Sequence, residues 1–197
     1  MVSSLLPALL LAVGVNAGVQ AAELEGVQLE ERAQVDGQAV ELNGIALRTR
    51  MFFKVYVAGL YLPQKVSSAQ TAIEGPGPKR IVLVMLRDAS AEQFVDSIDT
   101  GLDRNHTEAE LEKIQPQIDE LFAKIRSIGE AKKGMRIVLD YSPSATSTTL
   151  VVDGTPQGEP MRGAEFFRAL LRIWLGERPA EEELKRLLLR QEVNGKE

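Results

Sequence analysis

Residues 42–62 read LNGIALRTRMFFKVYVAGLYL, and the fold of the whole chain can be predicted outward from this stretch. From Met51 onward the stretch is rich in aromatic and β-branched residues and contains no proline, a composition typical of a β-strand. Successive side chains on a strand point to opposite faces. One face is therefore expected to pack into the core, and it carries Met51, Phe53, Val55, Val57 and Tyr61.

The opposite face of the same predicted strand mixes positive charge with aromatic groups. If the strand begins at Arg48, this face carries Arg48, Arg50, Phe52, Lys54, Tyr56 and Ala58. Cations on a strand commonly face water, and tyrosines commonly pack with a wet hydroxyl, so an ordinary solvent face is one interpretation. Two aromatic rings beside three cations favour a second interpretation, a pocket for an amphipathic anion. Candidate ligand-binding residues on this face are Arg48, Phe52, Lys54 and Tyr56.

Two segments of the chain resemble chalcone-isomerase-like proteins, in particular their bacterial secreted branch. The first is G-x-x-L-R at residues 44–48, followed by FFKVYVAGLYL at residues 52–62. The second is FFRALLRIWLGERPAEEELKRLL at residues 166–188, where a Trp-Leu-Gly turn, a proline and a Leu-Lys pair follow in the family's order. The resemblance implies an α+β chalcone isomerase fold. In that fold an antiparallel sheet carries a layer of helices on one face, as an open-faced β-sandwich, with a ligand cleft between the two layers.

The same resemblance implies a role for one arginine. In the family's enzymes, which cyclise a chalcone to a flavanone, an arginine near the start of the main strand pairs with the phenolate, and hydroxyl groups order a water. Related plant proteins without this activity bind fatty acids through the arginine and tyrosines. Arg48 matches the arginine, and it is the catalytic candidate if the protein is an enzyme. The enzymes' other positions fall at Tyr56, Gln93, Thr100 and Ile173, so the hydroxyl set is not matched; Thr100 remains a candidate ligand-binding residue.

The sequence leaves three functions open. The leading hypothesis is a non-catalytic protein that binds a fatty acid or another amphipathic carboxylate in the cleft. The second is an isomerase of the chalcone isomerase type, an intramolecular lyase. The third is a partner-binding protein without a small ligand.

Composition argues against several other functions. The 197 residues suit one domain, and the net charge of −5 without a basic block argues against nucleic-acid binding. The chain has no cysteine and one histidine, His106, so thiol chemistry, a metal site and a Ser-His pair are not expected. We expect no cofactor, and a structural role for His106.

The N-terminal residues predict export. Residues 5–15 form an apolar segment too short to span a bilayer, and Val19, Gln20 and Ala21 make an acceptable cleavage site. We therefore expect a signal peptide at residues 1–22, a chalcone-isomerase-like domain at residues 23–197, and a periplasmic location. No segment long enough to span a membrane is expected in the mature protein.

The remaining elements also predict an α+β fold. Strands are expected at residues 27–32, 38–42, 79–87, 134–141 and 146–153, and Asp36 and Gly37 predict a hairpin turn between the first two. Ser90 with Gln93, and Thr107 with Glu110, are capping boxes that mark two helix starts. Pro116 is expected to kink or split the second of these helices. An apolar helix is predicted at residues 164–175. A last helix is predicted after Pro179, where Glu181, Glu182 and Glu183 are acidic residues favourable at a helix start.

Overall fold

The computed structural model describes residues 21–191, which form ten β-strands and six α-helices. The strands are β1 (Ala21–Leu24), β2 (Val27–Glu30), β3 (Arg32–Val35), β4 (Gln38–Arg50), β5 (Phe53–Leu62), β6 (Lys79–Met85), β7 (Arg136–Ser142), β8 (Ser147–Val152), β9 (Thr155–Pro156) and β10 (Met161–Arg162). The helices are α1 (Ala69–Glu74), α2 (Ala91–Asn105), α3 (Glu108–Glu112), α4 (Gln115–Ile128), α5 (Ala164–Leu175) and α6 (Glu182–Leu188). The predicted signal peptide lies outside the described residues, except that Ala21 and Ala22 belong to β1.

One antiparallel sheet organises the molecule. Its strands lie in the order β10-β8-β7-β6-β5-β4-β3, β9 pairs with β8, and β1 and β2 form a separate two-stranded sheet. The predicted hairpin at Asp36 and Gly37 joins β3 to β4. The predicted α+β class, an antiparallel sheet with helices packed on it, is confirmed.

The main strand is interrupted, which the sequence analysis did not predict. β4 ends at Arg50, β5 begins at Phe53, and Met51 and Phe52 form the turn between them. Met51 takes a positive φ of 57°, a conformation that usually calls for glycine or asparagine. The single-strand prediction was wrong because this turn contains none of the residues that normally mark one.

A β-bulge in β5 changes which side chains share a face. Arg48 lies opposite Tyr56 and Thr49 lies opposite Lys54, so Val55 is an extra residue in the ladder. Val55 and Phe53 consequently line the same cavity as Arg48 and Tyr56. The prediction that Phe53 and Val55 face away from Arg48 was therefore wrong.

Both faces of the sheet are buried. On the helix side, residues at alternate positions of the central strands pack against α2, α4 and α5; from the sheet they include Tyr56, Ala58, Leu60, Ile81, Leu83, Met85, Ile137 and Leu139. On the other side, Val57 and Tyr61 pack with Val82 and Val84 under Leu29 of β2. Val57 and Tyr61 are core residues, as predicted, but they lie on the sheet face away from the helices.

The helix starts follow the predicted capping boxes. Ser90 and Thr107 each accept a hydrogen bond from the backbone of the third helical residue, and that residue's side chain bonds back. Pro116 splits the predicted long helix, because α3 ends at Glu112 and α4 begins at Gln115 with the proline in its first turn.

Helix α6 is fixed to β4 by a buried amide. Asn43 is an extra residue in β4. Its Nδ2 donates to the Leu188 carbonyl at 2.7 Å and to the Val66 carbonyl at 3.0 Å, and its Oδ1 accepts from the Val66 amide at 2.7 Å. The contact also requires Gly44, because a Cβ there would lie 2.3 Å from the Leu187 carbonyl oxygen.

Candidate functional site

A cavity of about 280 Å³ lies between the sheet and the helices. Its sheet wall is apolar and comes from Ile81, Leu83, Ile137, Leu139 and Leu150. Its helix wall is also apolar and comes from Ile98 of α2, Leu121 and Ile125 of α4, and Ile173 of α5. A cleft between sheet and helices that contains Arg48 and Tyr56 was predicted, and the structure places both residues in the cavity wall.

The cavity opens where its lining residues are exposed. These residues come from the β4–β5 turn, from the segment after β6 and from the first turns of α2, and they are Arg50, Met51, Phe53, Arg87, Asp88, Gln93 and Ser97. The opening thus combines charged and polar side chains with the apolar Met51 and Phe53, whereas the interior is a hydrocarbon-like space.

Arg48 lies in the cavity wall with its charge already paired. Its Nη1 donates to the Glu181 Oε2 at 2.9 Å and to the Thr49 carbonyl at 2.6 Å. Glu181 also accepts from the Thr49 backbone N–H at 3.0 Å and from the Thr49 hydroxyl at 2.9 Å. A guanidinium has five N–H donors, so these contacts leave those on Nε and Nη2 for other groups.

Glu181 is placed by the start of α6. It is the N-cap residue, yet its side chain makes no capping hydrogen bond and reaches β4 instead. Burial raises the pKa of this carboxyl, but the hydrogen bonds from Thr49 and Arg48 outweigh that effect and hold the pKa below its ordinary value. Glu181 is therefore ionised at neutral pH, and the Arg48–Glu181 pair is neutral overall.

Tyr56 adds a neutral hydroxyl beside this pair. Its ring is buried, and its hydroxyl oxygen accepts a hydrogen bond from the Trp174 indole N–H at 2.9 Å. Burial raises the pKa of Tyr56, so the phenol keeps its proton at neutral pH. Within residues 21–191 the Tyr56 O–H donates no hydrogen bond to an acceptor, and it lies in the cavity wall. The arrangement can bind an oxygen-bearing ligand head beside an apolar chamber.

A family model described as chalcone isomerase-like matches residues 21–190. The chain belongs to the chalcone isomerase-like family. Among solved structures, this family member is similar to the crystal structure of a fatty-acid binding protein from Arabidopsis thaliana, with a TM-score of 0.67 and 13% sequence identity. The match covers 86% of this chain and 96% of the plant protein, and at that identity it shows a shared fold. A search of curated protein sequences found no match.

Three of the predicted site residues of this chalcone isomerase-like chain lie outside the cavity wall. Phe52 is 97% exposed at the β4–β5 turn. Lys54 is exposed and its Nζ binds the Glu25 carboxylate at 2.6 Å. Thr100 lies on the exposed side of α2, and Ser97, one turn earlier, lines the cavity instead. The misplacement of Phe52 follows from the unrecognised turn, and Thr100 was chosen by matching the family's positions, without regard to its side of the helix.

Two residues that complete the site, Trp174 and Glu181, were not predicted from the sequence. Trp174 lies within the segment that carries the family resemblance, but nothing in its spacing indicated a bond to Tyr56. Glu181 was interpreted only as an acidic residue favourable at a helix start. Its actual partners lie 132 and 133 positions earlier in the chain, a separation that no local pattern reveals.

Three further findings concern His106, the potential metal ligands and the length of the helices. The His106 Nδ1 lies 2.9 Å from the Leu102 carbonyl oxygen, which fits the structural role expected for it. No cluster of three or more potential metal ligands occurs within the described residues. Across residues 21–191, none of the helices has the length and apolar character needed to cross a membrane.

Proposed function

We propose that this protein binds a fatty acid or a similar amphipathic carboxylate, with its chain in the apolar cavity and its head at Arg48 and Tyr56. The observation that carries the proposal is the position of these two residues, together at the wall of an otherwise hydrocarbon-like cavity. Ligand pockets are typically apolar with a few polar groups that orient the ligand. Support also comes from the shared fold of the plant fatty-acid binding protein.

The size and charge of the cavity limit the range of ligands that can bind. A volume of about 280 Å³ lies just below the roughly 300–1,000 Å³ common for ligand pockets, which favours a short or medium chain. Because Glu181 already neutralises Arg48, a carboxylate must share the guanidinium with a resident acid. We infer that acids bind with moderate affinity, through the Arg48 donors on Nε and Nη2 and the Tyr56 hydroxyl.

Calorimetric titration of a series of fatty acids and the matching alcohols tests this proposal. Wild type should prefer the acid, and Arg48→Ala should weaken acid binding by about tenfold or more, since a hydrogen bond to a charged group contributes about 1.5–3 kcal/mol. Alcohol binding should change little. Arg32→Ala is the matched control, because Arg32 is an exposed arginine outside the cavity wall. Equal affinity of wild type for acid and alcohol would refute the anion-binding proposal.

We further propose that the site binds its ligand without isomerising a chalcone. The hydroxyl groups in the cavity wall belong to Tyr56 and Ser97, while Ile173 contributes an apolar side chain and Thr100 lies outside. Loss of chalcone absorbance should not exceed the uncatalysed background. Enantioselective flavanone formation that disappears in Arg48→Ala would contradict this.

We also propose export to the periplasm, on the basis of the apolar residues 5–15 and the cleavage site that ends at Ala21. N-terminal sequencing of protein from its native host should give a start near Ala22 or Glu23. An intact Met1 would rule out cleavage.

A further inference from the structure

The turn between β4 and β5 exposes three consecutive apolar side chains. Met51 is 83% exposed, Phe52 97% and Phe53 57%. Within residues 21–191 these are three of the four exposed large hydrophobic side chains, and the fourth, Leu187, lies on α6. We call residues 50–54 the tip. A concentrated apolar surface of this kind usually marks an interaction site.

The residues of the tip are not the types that a turn of this kind favours. A two-residue hairpin turn favours glycine, asparagine or aspartate, especially where φ is positive. Here Met51 occupies the positive-φ position, and Phe52 follows it fully in solvent. The tip therefore departs from the residue preference of its turn and also leaves apolar side chains exposed. Departures of this kind are expected at functional sites.

Positive charge surrounds the tip, although the protein as a whole is acidic. Residues 48–54 contain three cations and no acid, in a chain of net charge −5. The Arg87 guanidinium lies 4.7 Å from the centre of the Phe53 ring. Within the described residues Arg50 and Arg87 form no ion pair, whereas Arg48 is paired with Glu181 and Lys54 with Glu25. Two exposed arginines thus flank the apolar side chains.

The tip also lies at the opening of the cavity. Met51 and Phe53 line the opening, and so do Arg50 and Arg87. A partner surface that binds the tip would therefore lie directly against the entrance to the apolar cavity.

We propose that the tip inserts into the interface of an anionic phospholipid bilayer, with Met51 and Phe52 among the acyl chains and Arg50 and Arg87 at the phosphate groups. Protein surfaces that combine aromatic or other apolar side chains with arginine bind the interface of anionic membranes. The surface is too small for a stable protein dimer, because two aromatic rings and a methionine offer about 500 Å², against about 800 Å² on each partner in a standard interface. This docking does not depend on what the cavity binds.

Vesicle co-sedimentation tests the proposal. Wild type should bind vesicles that contain phosphatidylglycerol more tightly than vesicles of phosphatidylcholine alone. Phe52→Ser should weaken binding by about tenfold or more, because burial of a phenylalanine side chain changes an equilibrium by at least that factor. Arg50→Gln should weaken binding to the anionic vesicles by about fivefold and leave binding to neutral vesicles unchanged. Leu187→Ser is the matched control and should bind like wild type.

A fluorescence experiment reports the position of the tip directly. The chain has one tryptophan, Trp174, and it is buried. In Phe52→Trp, emission should shift to shorter wavelength when anionic vesicles are added, while wild-type emission stays constant.

The proposal is wrong if wild type does not bind the vesicles, or if Phe52→Ser and wild type bind equally. It is also wrong if sedimentation equilibrium shows self-association through the tip without lipid. In each of these cases, acid binding measured in buffer is independent, because Phe52 does not line the cavity.

Discussion

The substitution Glu181→Gln tests whether Glu181 and the ligand carboxylate compete for Arg48. In the wild-type protein the Glu181 carboxylate accepts hydrogen bonds from Arg48 Nη1, from the Thr49 backbone N–H and from the Thr49 hydroxyl, at 2.9, 3.0 and 2.9 Å. Glutamine keeps the length of the side chain and one oxygen acceptor, but it removes the negative charge. Arg48 then faces the cavity as an uncompensated cation.

The gain in acid binding can be estimated from that loss of charge. A hydrogen bond that involves a charged group contributes about 1.5–3 kcal/mol, roughly twice a neutral one. If the ligand carboxylate recovers even the lower end of this range, affinity rises by about tenfold. An alcohol of the same chain length carries no charge, so its affinity should stay within about twofold of wild type.

The assay is calorimetric titration of dodecanoic acid and dodecanol into wild type, Glu181→Gln and Glu182→Gln. Glu182 is the neighbouring exposed residue of α6 and makes no contact with Arg48, so its substitution gives the same change in net charge away from the site. The reasoning is refuted if Glu181→Gln binds the acid no more tightly than wild type, or if acid and alcohol gain equally.

Three further predictions concern stability. Asn43→Ala should lower the free energy of unfolding in urea by about 2–4 kcal/mol, because it removes three hydrogen bonds and leaves the Leu188 carbonyl buried without its donor. Gly44→Ala should cost about 1–3 kcal/mol, because its Cβ would meet the Leu187 and Leu188 carbonyl oxygens at 2.3 and 2.6 Å; an unchanged urea midpoint would contradict the close approach. The pKa of Glu181 lies below its ordinary 4.5, so its contribution is complete above pH 4.5 and disappears as the pH falls through the folded-state pKa. The difference in unfolding free energy between wild type and Glu181→Gln should therefore shrink below pH 4.5, and a constant difference down to pH 2 would argue against the bonds to Thr49 and Arg48.

Local chemistry predicted much of the fold. The capping boxes at Ser90 and Thr107, the hairpin at Asp36 and the helix break at Pro116 are each set by residues within a few positions of one another, so the sequence displays them directly. Arg48 and Tyr56 share a face as predicted, although they lie directly opposite each other on two paired strands and not on one continuous strand.

The features that the sequence did not predict arise from irregularities in the strands or from contacts between residues far apart in the chain. The turn at Met51 carries no turn residue, and the bulge at Val55 reverses the alternation that assigned Phe53 and Val55 to the opposite face. The partners Glu181 and Trp174 come from helices more than a hundred residues further along the chain. Such contacts are set by tertiary packing, which strand and helix periodicity does not encode.

The bond between Asn43 and Leu188 bears on the order of folding during synthesis. The two residues are 145 positions apart, so the buried Asn43 amide of β4 stays without this partner until α6 has been made. When the sheet and α5 have been made, the Leu188 carbonyl that Asn43 binds is still missing. Contacts between such distant residues form slowly, and partly folded chains expose apolar surface meanwhile. The wall that contains Arg48 and Glu181 is therefore completed only once α6 has been made, and a chain truncated before Glu181 keeps the residues of all ten strands but lacks the partner of Arg48 at the cavity.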